Sequence, residues 1–263
     1  MAPSTASGQP LSIEQRGRVL LIGIDRAEKR NALNDGAIEA LETVFAALPA
    51  DVGAVVIHGI GENFSAGLDL SELSERDAVE GVMHSRFWHR VFERIQFGRV
   101  PVIAALKGAV IGGGLELAAS AHIRVAERSA FYALPEGQRG IFVGGGGSVR
   151  VPRLIGVARM MDMMLTGRTY SAEEGLAIGL SQYLVEAGEA LPKAIELAER
   201  VAGNAAMTNF AVIHALPRIA ESDPAAGYLT EALTAAVAQS APEAKQRVRD
   251  FLAKKAAKVK RPD

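Results

Sequence analysis

Two carboxylates stand out in this 263-residue chain by the residues around them. Glu116 follows the consecutive glycines Gly112, Gly113 and Gly114 by less than one helical turn, set between Leu115 and the run Leu117, Ala118, Ala119. A carboxylate leaving an otherwise apolar helix is costly unless it is paired or works. Glu136 closes Phe131-Tyr-Ala-Leu-Pro-Glu136, a strand-like run broken by proline, with no other acid beside it. Taken singly, Glu116 also reads as a surface-facing residue of an amphipathic helix and Glu136 as an ordinary turn residue. Taken together they are the pair that acid and base work on one water or substrate requires, provided their surroundings push the two pKa values apart.

Three glycine-rich segments supply the other half of such a site. Gly61-Glu-Asn-Phe-Ser-Ala-Gly-Leu-Asp-Leu70 follows a strand pattern ending at Ile60, and its glycines permit a tight turn with backbone N–H groups left free. A strand-to-helix loop with Asp69 as a plain N-cap explains that segment equally well. Gly108 to Glu116 places bare amides at a helix N-terminus, where orphan donors and the helix dipole favour negative charge. Its spacing is not that of a dinucleotide fingerprint, and no Lys-Ser or Lys-Thr follows for a nucleotide loop. Gly144 to Gly147, between apolar neighbours, points to close backbone approach near a ligand or to a helix entry. The five histidines show no metal-ligand spacing, and the absence of cysteine excludes disulfides, thiolate catalysis and iron–sulfur clusters.

The elements that must position these residues read as an α/β body. With 49% hydrophobic and 22% charged residues the chain can bury a core, and its longest apolar runs are far too short to cross a bilayer. Short β-branched runs at residues 18–25, 54–60, 102–106 and 123–126 alternate with helical patterns. After Asn34, an expected N-cap, Ile38, Leu41, Phe45 and Leu48 recur at helical steps as one apolar stripe. From about residue 191 strand signals give way to Ala-rich helices with Leu229, Leu233 and Val237 on one face and Val248, Phe251 and Leu252 on another. The net charge of −1 gives no global field for a nucleic-acid backbone, although residues 244–263 carry eight Lys or Arg against two Asp. No leader-like segment is visible at residues 1–10, and a cytoplasmic location is the expectation.

In these motifs the chain resembles the crotonase superfamily, also called the enoyl-CoA hydratase/isomerase family, over nearly its whole length. The matching segments come in order: Asp25-Arg-Ala-Glu-Lys-Arg-Asn-Ala-Leu-Asn34, Phe64-Ser-Ala-Gly-Leu-Asp69, Gly108 to Glu116, Leu134-Pro-Glu136 and Arg153-Leu-Ile-Gly156. The resemblance implies an α/β fold, a crotonase-like spiral of ββα units over residues 1–190. It also implies a helical trimerisation region over residues 191–263, in a trimer or dimer of trimers.

It further implies an acyl-CoA thioester as substrate, with coenzyme A part of the substrate and no separate cofactor or metal. The backbone N–H groups of Leu68 and Gly113 would form the oxyanion hole, and Glu116 and Glu136 would hold the water. In this reading Glu116 is chiefly the base and Glu136 chiefly the acid of an enoyl-CoA hydratase, a carbon–oxygen lyase. Lys29, Arg30, Ala66, Asp69, Leu70 and Lys254 fall at positions for binding substrate or coenzyme A, Lys254 through an F-x-x-K match at Phe251. Substrate identity falls in the stretch 82–97 with Phe87, Trp88 and Phe92, either an amphipathic cover helix or an aryl- or thioether-shaped pocket wall. An enoyl-CoA isomerase, a specialised hydratase for methylthioacryloyl-CoA or an aromatic enoyl-CoA, and a non-catalytic acyl-CoA- or RNA-binding relative are the alternatives. No nucleic-acid or membrane partner is expected.

Overall fold

The computed structural model describes residues 9–72 and 76–255. The chain opens with a hairpin, β1 (Leu11–Arg16) and β2 (Val19–Ile24), followed by α1 (Asp35–Ala46), β3 (Ala54–Gly59) and α2 (Ala78–Gln96). Next come β4 (Val102–Leu106), β5 (Ala109–Ile111), α3 (Gly113–Ser120), β6 (Ile123–Glu127), β7 (Phe131–Ala133), α4 (Gly147–Ile155) and α5 (Val157–Thr166). The core body closes with β8 (Tyr170–Ser171), α6 (Ala172–Ile178), β9 (Tyr183–Val185) and α7 (Ala190–Ala202). Four further helices complete the described chain: α8 (Ala206–His214), α9 (Leu216–Glu221), α10 (Pro224–Ser240) and α11 (Pro242–Leu252).

Six strands form one sheet in the order β1-β2-β3-β4-β6-β9, parallel except for the β1–β2 hairpin, and β5, β7 and β8 form a second. Parallel strands are covered on both faces, which is why β2 and β4 read as unbroken apolar runs and are wholly buried. The units β4-β5-α3 and β6-β7-α4 each step from the large sheet to the small one and then into a helix, with β5 and β7 paired in parallel. The bridges Leu33↔Leu68 and Ser65↔Val110 continue that stacking through the two preceding loops. The result is the expected spiral of ββα turns, and it stacks the Asp25–Asn34 loop, the Gly61–Leu70 loop and the start of α3 at one edge.

Asn34 caps α1 through Ala37 N–H at 3.0 Å, and Ile38 and Leu41 are fully buried, with Phe45 and Leu48 half-buried against the same core. The chain divides into two compact units after Ala202, not at residue 190. Helix α7 belongs to the first unit because its i, i+4 stripe, Ala190, Ala194, Leu197, Ala198 and Ala202, packs on the second face of the large sheet against Val19, Leu21, Val56 and Ile103. The second unit is helical, and in it Leu229, Leu233, Val237, Phe251 and Leu252 are exposed.

Candidate active site

The loop after β2 and the loop after β3 are locked together by a buried carboxylate. Asp69 accepts from Arg26 Nη2 at 2.8 Å, Lys29 Nζ at 2.9 Å, and both Ser71 Oγ at 2.6 Å and Ser71 N–H at 3.1 Å. The Ser71 hydroxyl, Lys29 and Arg26 outweigh desolvation and hold Asp69 well below the usual carboxylate range. Its carboxylate is therefore spent inside the protein as a loop clamp. Asp69→Asn removes the buried charge shared by Arg26 and Lys29 and should cost about 3 kcal/mol, read as a lower Tm. Because the folded pKa is depressed, the clamp's stabilisation is full above the unfolded value of about 4 and declines from there as the pH falls toward the depressed folded value, so the variant's deficit shrinks in acid.

The clamp aims one amide. Asp69 N–H donates to Leu33 O at 2.8 Å and Gly67 O accepts from Leu33 N–H at 2.7 Å, which turns the intervening Leu68 N–H away from the ladder. Opposite it, Gly112 adopts φ +52°, a left-handed conformation that glycine accepts readily, and starts α3 at Gly113. A Cβ at Gly113 would lie 3.4 Å from Leu68 N and 3.2 Å from Trp88 Cζ3, so the two amides sit side by side. Among the described residues neither the Leu68 nor the Gly113 N–H meets an acceptor. Two free donors at a helix N-terminus form a site for an oxygen that gains negative charge.

Both candidate carboxylates reach this spot. Glu116, one turn into α3 and 3% exposed, accepts at Oε1 from Gly145 N–H at 2.9 Å and Gly147 N–H at 2.7 Å. Burial pushes it up, while the Gly147 and Gly145 amides and the nearby Arg150 guanidinium favour its anion. The glycine loop has its own supports: Arg150 donates to Gly145 O at 2.9 Å and to Gln96 Oε1 at 2.6 Å, and Ser85 Oγ donates to Gly144 O at 2.5 Å. Glu136, 7% exposed, leads into a short 3-10 turn, Gly137–Arg139. A Cβ at Gly112 would fall 2.5 Å from Glu136 Oε1, and Oε2 is buried with no hydrogen-bond partner among the described residues. Burial, reinforced by the Glu116 charge, pushes Glu136 up to about 7.

Leu68, Gly113, Glu116 and Glu136 line one cavity of about 300 Å³. Its remaining wall comes from α2 through Gly81, His84, Ser85 and Trp88, and from Ile141, Phe142 and Val143 ahead of the glycine loop. The three aromatics of α2 separate by helical angle. Trp88 faces the cavity, Phe92 is fully buried behind it with ring centroids 5.8 Å apart, and Phe87 is half-buried elsewhere under Arg90 at 5.3 Å. Of the other expected binding positions, Ala66 is half-buried, and Lys29, Arg30 and Leu70 are exposed on the clamped loops. Lys254 is exposed in the second unit, with φ +58°. Sequence reasoning missed Arg26, Ser71, Arg150, Ser85, Asp35 and His84. For His84 a signal existed, since it precedes Trp88 by four residues on the same helical face.

Fold and site define a class: an α/β spiral protein in which two loop amides and two buried carboxylates converge on one cavity. Residues 14–260 match the enoyl-CoA hydratase/isomerase family, and the chain belongs to it. It is 36% identical over 196 residues to the short-chain-enoyl-CoA hydratase of Clostridium acetobutylicum, covering 73% of this chain and 75% of that one. A solved structure of a candidate enoyl-CoA hydratase from Rhodopseudomonas palustris is similar at TM-score 0.93 and 66% identity, covering 97% of this chain and 98% of that one. The enoyl-CoA hydratase structure from Bacillus anthracis is similar at TM-score 0.88 and 29% identity, covering 94% and 97% of the two chains. Among the described residues no helix is long and apolar enough to cross a membrane, and no three His, Asp or Glu cluster as metal ligands.

Proposed function

We propose that this protein is an enoyl-CoA hydratase, adding water across the 2,3 double bond of a 2-enoyl-CoA to give the 3-hydroxyacyl-CoA. The observation that carries the reading is the convergence of Glu116 and Glu136 on one cavity beside two unpartnered amides. The thioester carbonyl would accept from Leu68 and Gly113 N–H. Each such donor is worth roughly 3 kcal/mol in other enzymes, because it meets charge that develops only as the enolate forms. Glu116, fixed by the Gly145 and Gly147 amides and raised by burial toward the range of a general base, takes a proton from the water that attacks C3. Glu136, near 7 and with Oε2 unpartnered, delivers a proton to C2. An isomerase needs only one base to move a proton along the acyl chain, and a second carboxylate held by two amides favours hydration.

The test is loss of the conjugated enoyl-thioester absorbance with crotonyl-CoA, run beside Glu116→Gln and Glu136→Gln. Hydration intact in both variants would overturn the assignment. A proton donor must be protonated before it acts, and the Glu136 pKa is raised to about 7. The pH profile of kcat/KM should therefore fall above about pH 7, approaching tenfold per unit, and Glu136→Gln should remove that limb.

Lys29 and Arg30, exposed on the clamped loop, supply the positive charge expected at the coenzyme A phosphates, with Ala66 and Leu70 beside them on the paired loop. The helical second unit is proposed to assemble the chain into a trimer or dimer of trimers through its exposed Leu229, Leu233, Phe251 and Leu252. Sedimentation velocity should find no monomer at micromolar concentration, and Leu229→Glu with Leu233→Glu should produce one.

A further inference from the structure

We infer that Gly81 is a chain-length determinant, whose missing side chain leaves the far end of the cavity open to 2-enoyl-CoA substrates with long alkyl chains. The inference rests on the hydratase reading and concerns the wall that α2 gives to the same cavity. Four glycines line that cavity. A Cβ at Gly113, Gly144 or Gly145 would lie 3.0 to 3.3 Å from a neighbouring side chain, so packing keeps each of these positions small. A Cβ at Gly81 would have nothing within 4 Å. Its backbone is helical, with the N–H donating to Asp77 O at 3.0 Å, and its φ is not among the positive ones. Neither packing nor conformation asks for glycine there, and inside a helix glycine costs stability relative to alanine. What this glycine supplies is room in the wall.

Helix α2 gives the cavity its direction. Gly81, His84, Ser85 and Trp88 recur at three- and four-residue steps and form one face of the helix. Trp88 marks the reacting end, its Cζ3 3.2 Å from where a Cβ at Gly113 would be. Gly81 lies two helical turns, about 10 Å, back along the axis. An extended chain gains roughly 1.25 Å per C–C bond, so from a carbonyl held at the Leu68 and Gly113 amides it reaches Gly81 at about the ninth carbon. A crotonyl chain, about 4 Å long, ends more than one turn short of it.

The surroundings of that end suit an alkyl chain. Ser85 Oγ donates to Gly144 O at 2.5 Å and ties the glycine loop to α2 one turn beyond Gly81. Ile141, Phe142 and Val143, immediately ahead of Gly144, complete the wall. Ile141 is 39% and Phe142 69% exposed, so apolar surface continues from the cavity out to solvent. The Ser85 hydroxyl is taken by Gly144 O, and His84 Nε2 is paired with Asp35 Oδ1 at 2.7 Å. Among the described residues no Lys, Arg or Asp lines the cavity, and its two glutamates are those of the reacting end. A chain that continues past Gly81 covers Ile141 and Phe142 and removes their apolar surface from water, a gain that a polar or charged end group forfeits.

The experiment measures kcat/KM for dec-2-enoyl-CoA and for crotonyl-CoA in wild type, Gly81→Ala, Gly81→Met and Gly81→Leu. The ratio of the first to the second should be about one or more in wild type and in Gly81→Ala. It should fall about tenfold or more in Gly81→Leu and Gly81→Met, since a change of one methylene in a hydrophobic pocket already reaches that scale. Gly81→Ala should also raise Tm, because alanine is the better helix former and its methyl meets nothing. A wild-type ratio below one, a lower Tm in Gly81→Ala, or a ratio that the larger side chains leave unchanged overturns the inference, and Gly81→Met decides alone if Gly81→Leu does not fold. Should no enoyl-CoA turn over, the hydratase reading fails by itself, and the ratio is read from calorimetric Kd values of decanoyl-CoA and butyryl-CoA. There too, a ratio insensitive to Gly81→Met and Gly81→Leu overturns it.

Discussion

Glu136→Gln should lower kcat for crotonyl-CoA hydration by about 10³-fold, within the range expected for removing one acid–base group. The amide is nearly the same size as the acid, so the cavity keeps its shape. What is lost is the exchangeable proton that burial lets the carboxyl retain up to about pH 7. Glu116→Gln should cost a similar factor for a different reason. Its amide oxygen can still accept from the Gly145 and Gly147 N–H groups, so the glycine loop stays in place while the base is gone. Because the two carboxylates are proposed to act on one water and one carbon pair, the double variant should be little worse than either single variant. Stopped-flow or steady-state absorbance, with coenzyme A product binding as a check on the fold, reads all three.

The second large effect should come from Gly113→Ala. The added methyl would sit 3.4 Å from Leu68 N and 3.2 Å from Trp88 Cζ3, between the amides that are to hold the thioester oxygen. Trp88 is a side chain and can give by a few tenths of an ångström, so the protein should fold. The donor geometry does not survive the intrusion. The expected loss is about 10²- to 10³-fold in kcat, the scale of deleting one oxyanion donor, with much smaller change in acyl-CoA affinity. A loss confined to KM would mean that the two amides bind substrate without stabilising the enolate.

The parts of this fold that repeat over short distances were legible in the sequence. The buried strands are apolar runs, α1 is a stripe behind an Asn cap, and each glycine-rich loop lies where the chain leaves a strand or enters a helix. Glu116 and Glu136 were legible because an acid in apolar surroundings is conspicuous, and glycines flank both. Pairings across long separations were not. Arg26 and Asp69 are 43 residues apart, and Asp35 and His84 are 49 apart. Nothing local distinguishes such residues from solvated ones. Of the four donors that enclose Asp69, the two from the loop after β2 are of this kind. Helix α7 carries a plain apolar stripe, but a stripe does not say which surface it covers, and it covers the sheet. The α2 aromatics show the limit from the other side, since helical angle separates Trp88 from Phe87 only once the position of the core is known.

Both carboxylates are proposed to act on a water that ends up on the substrate. The most direct measurement is to react crotonyl-CoA in heavy-oxygen water and read the product by mass spectrometry. The expected product is a 3-hydroxyacyl-CoA with one heavy oxygen at C3, formed by wild type and abolished by Glu116→Gln and by Glu136→Gln. A product without the label, a shifted double bond formed without water, or a labelled product that persists in both variants would contradict it.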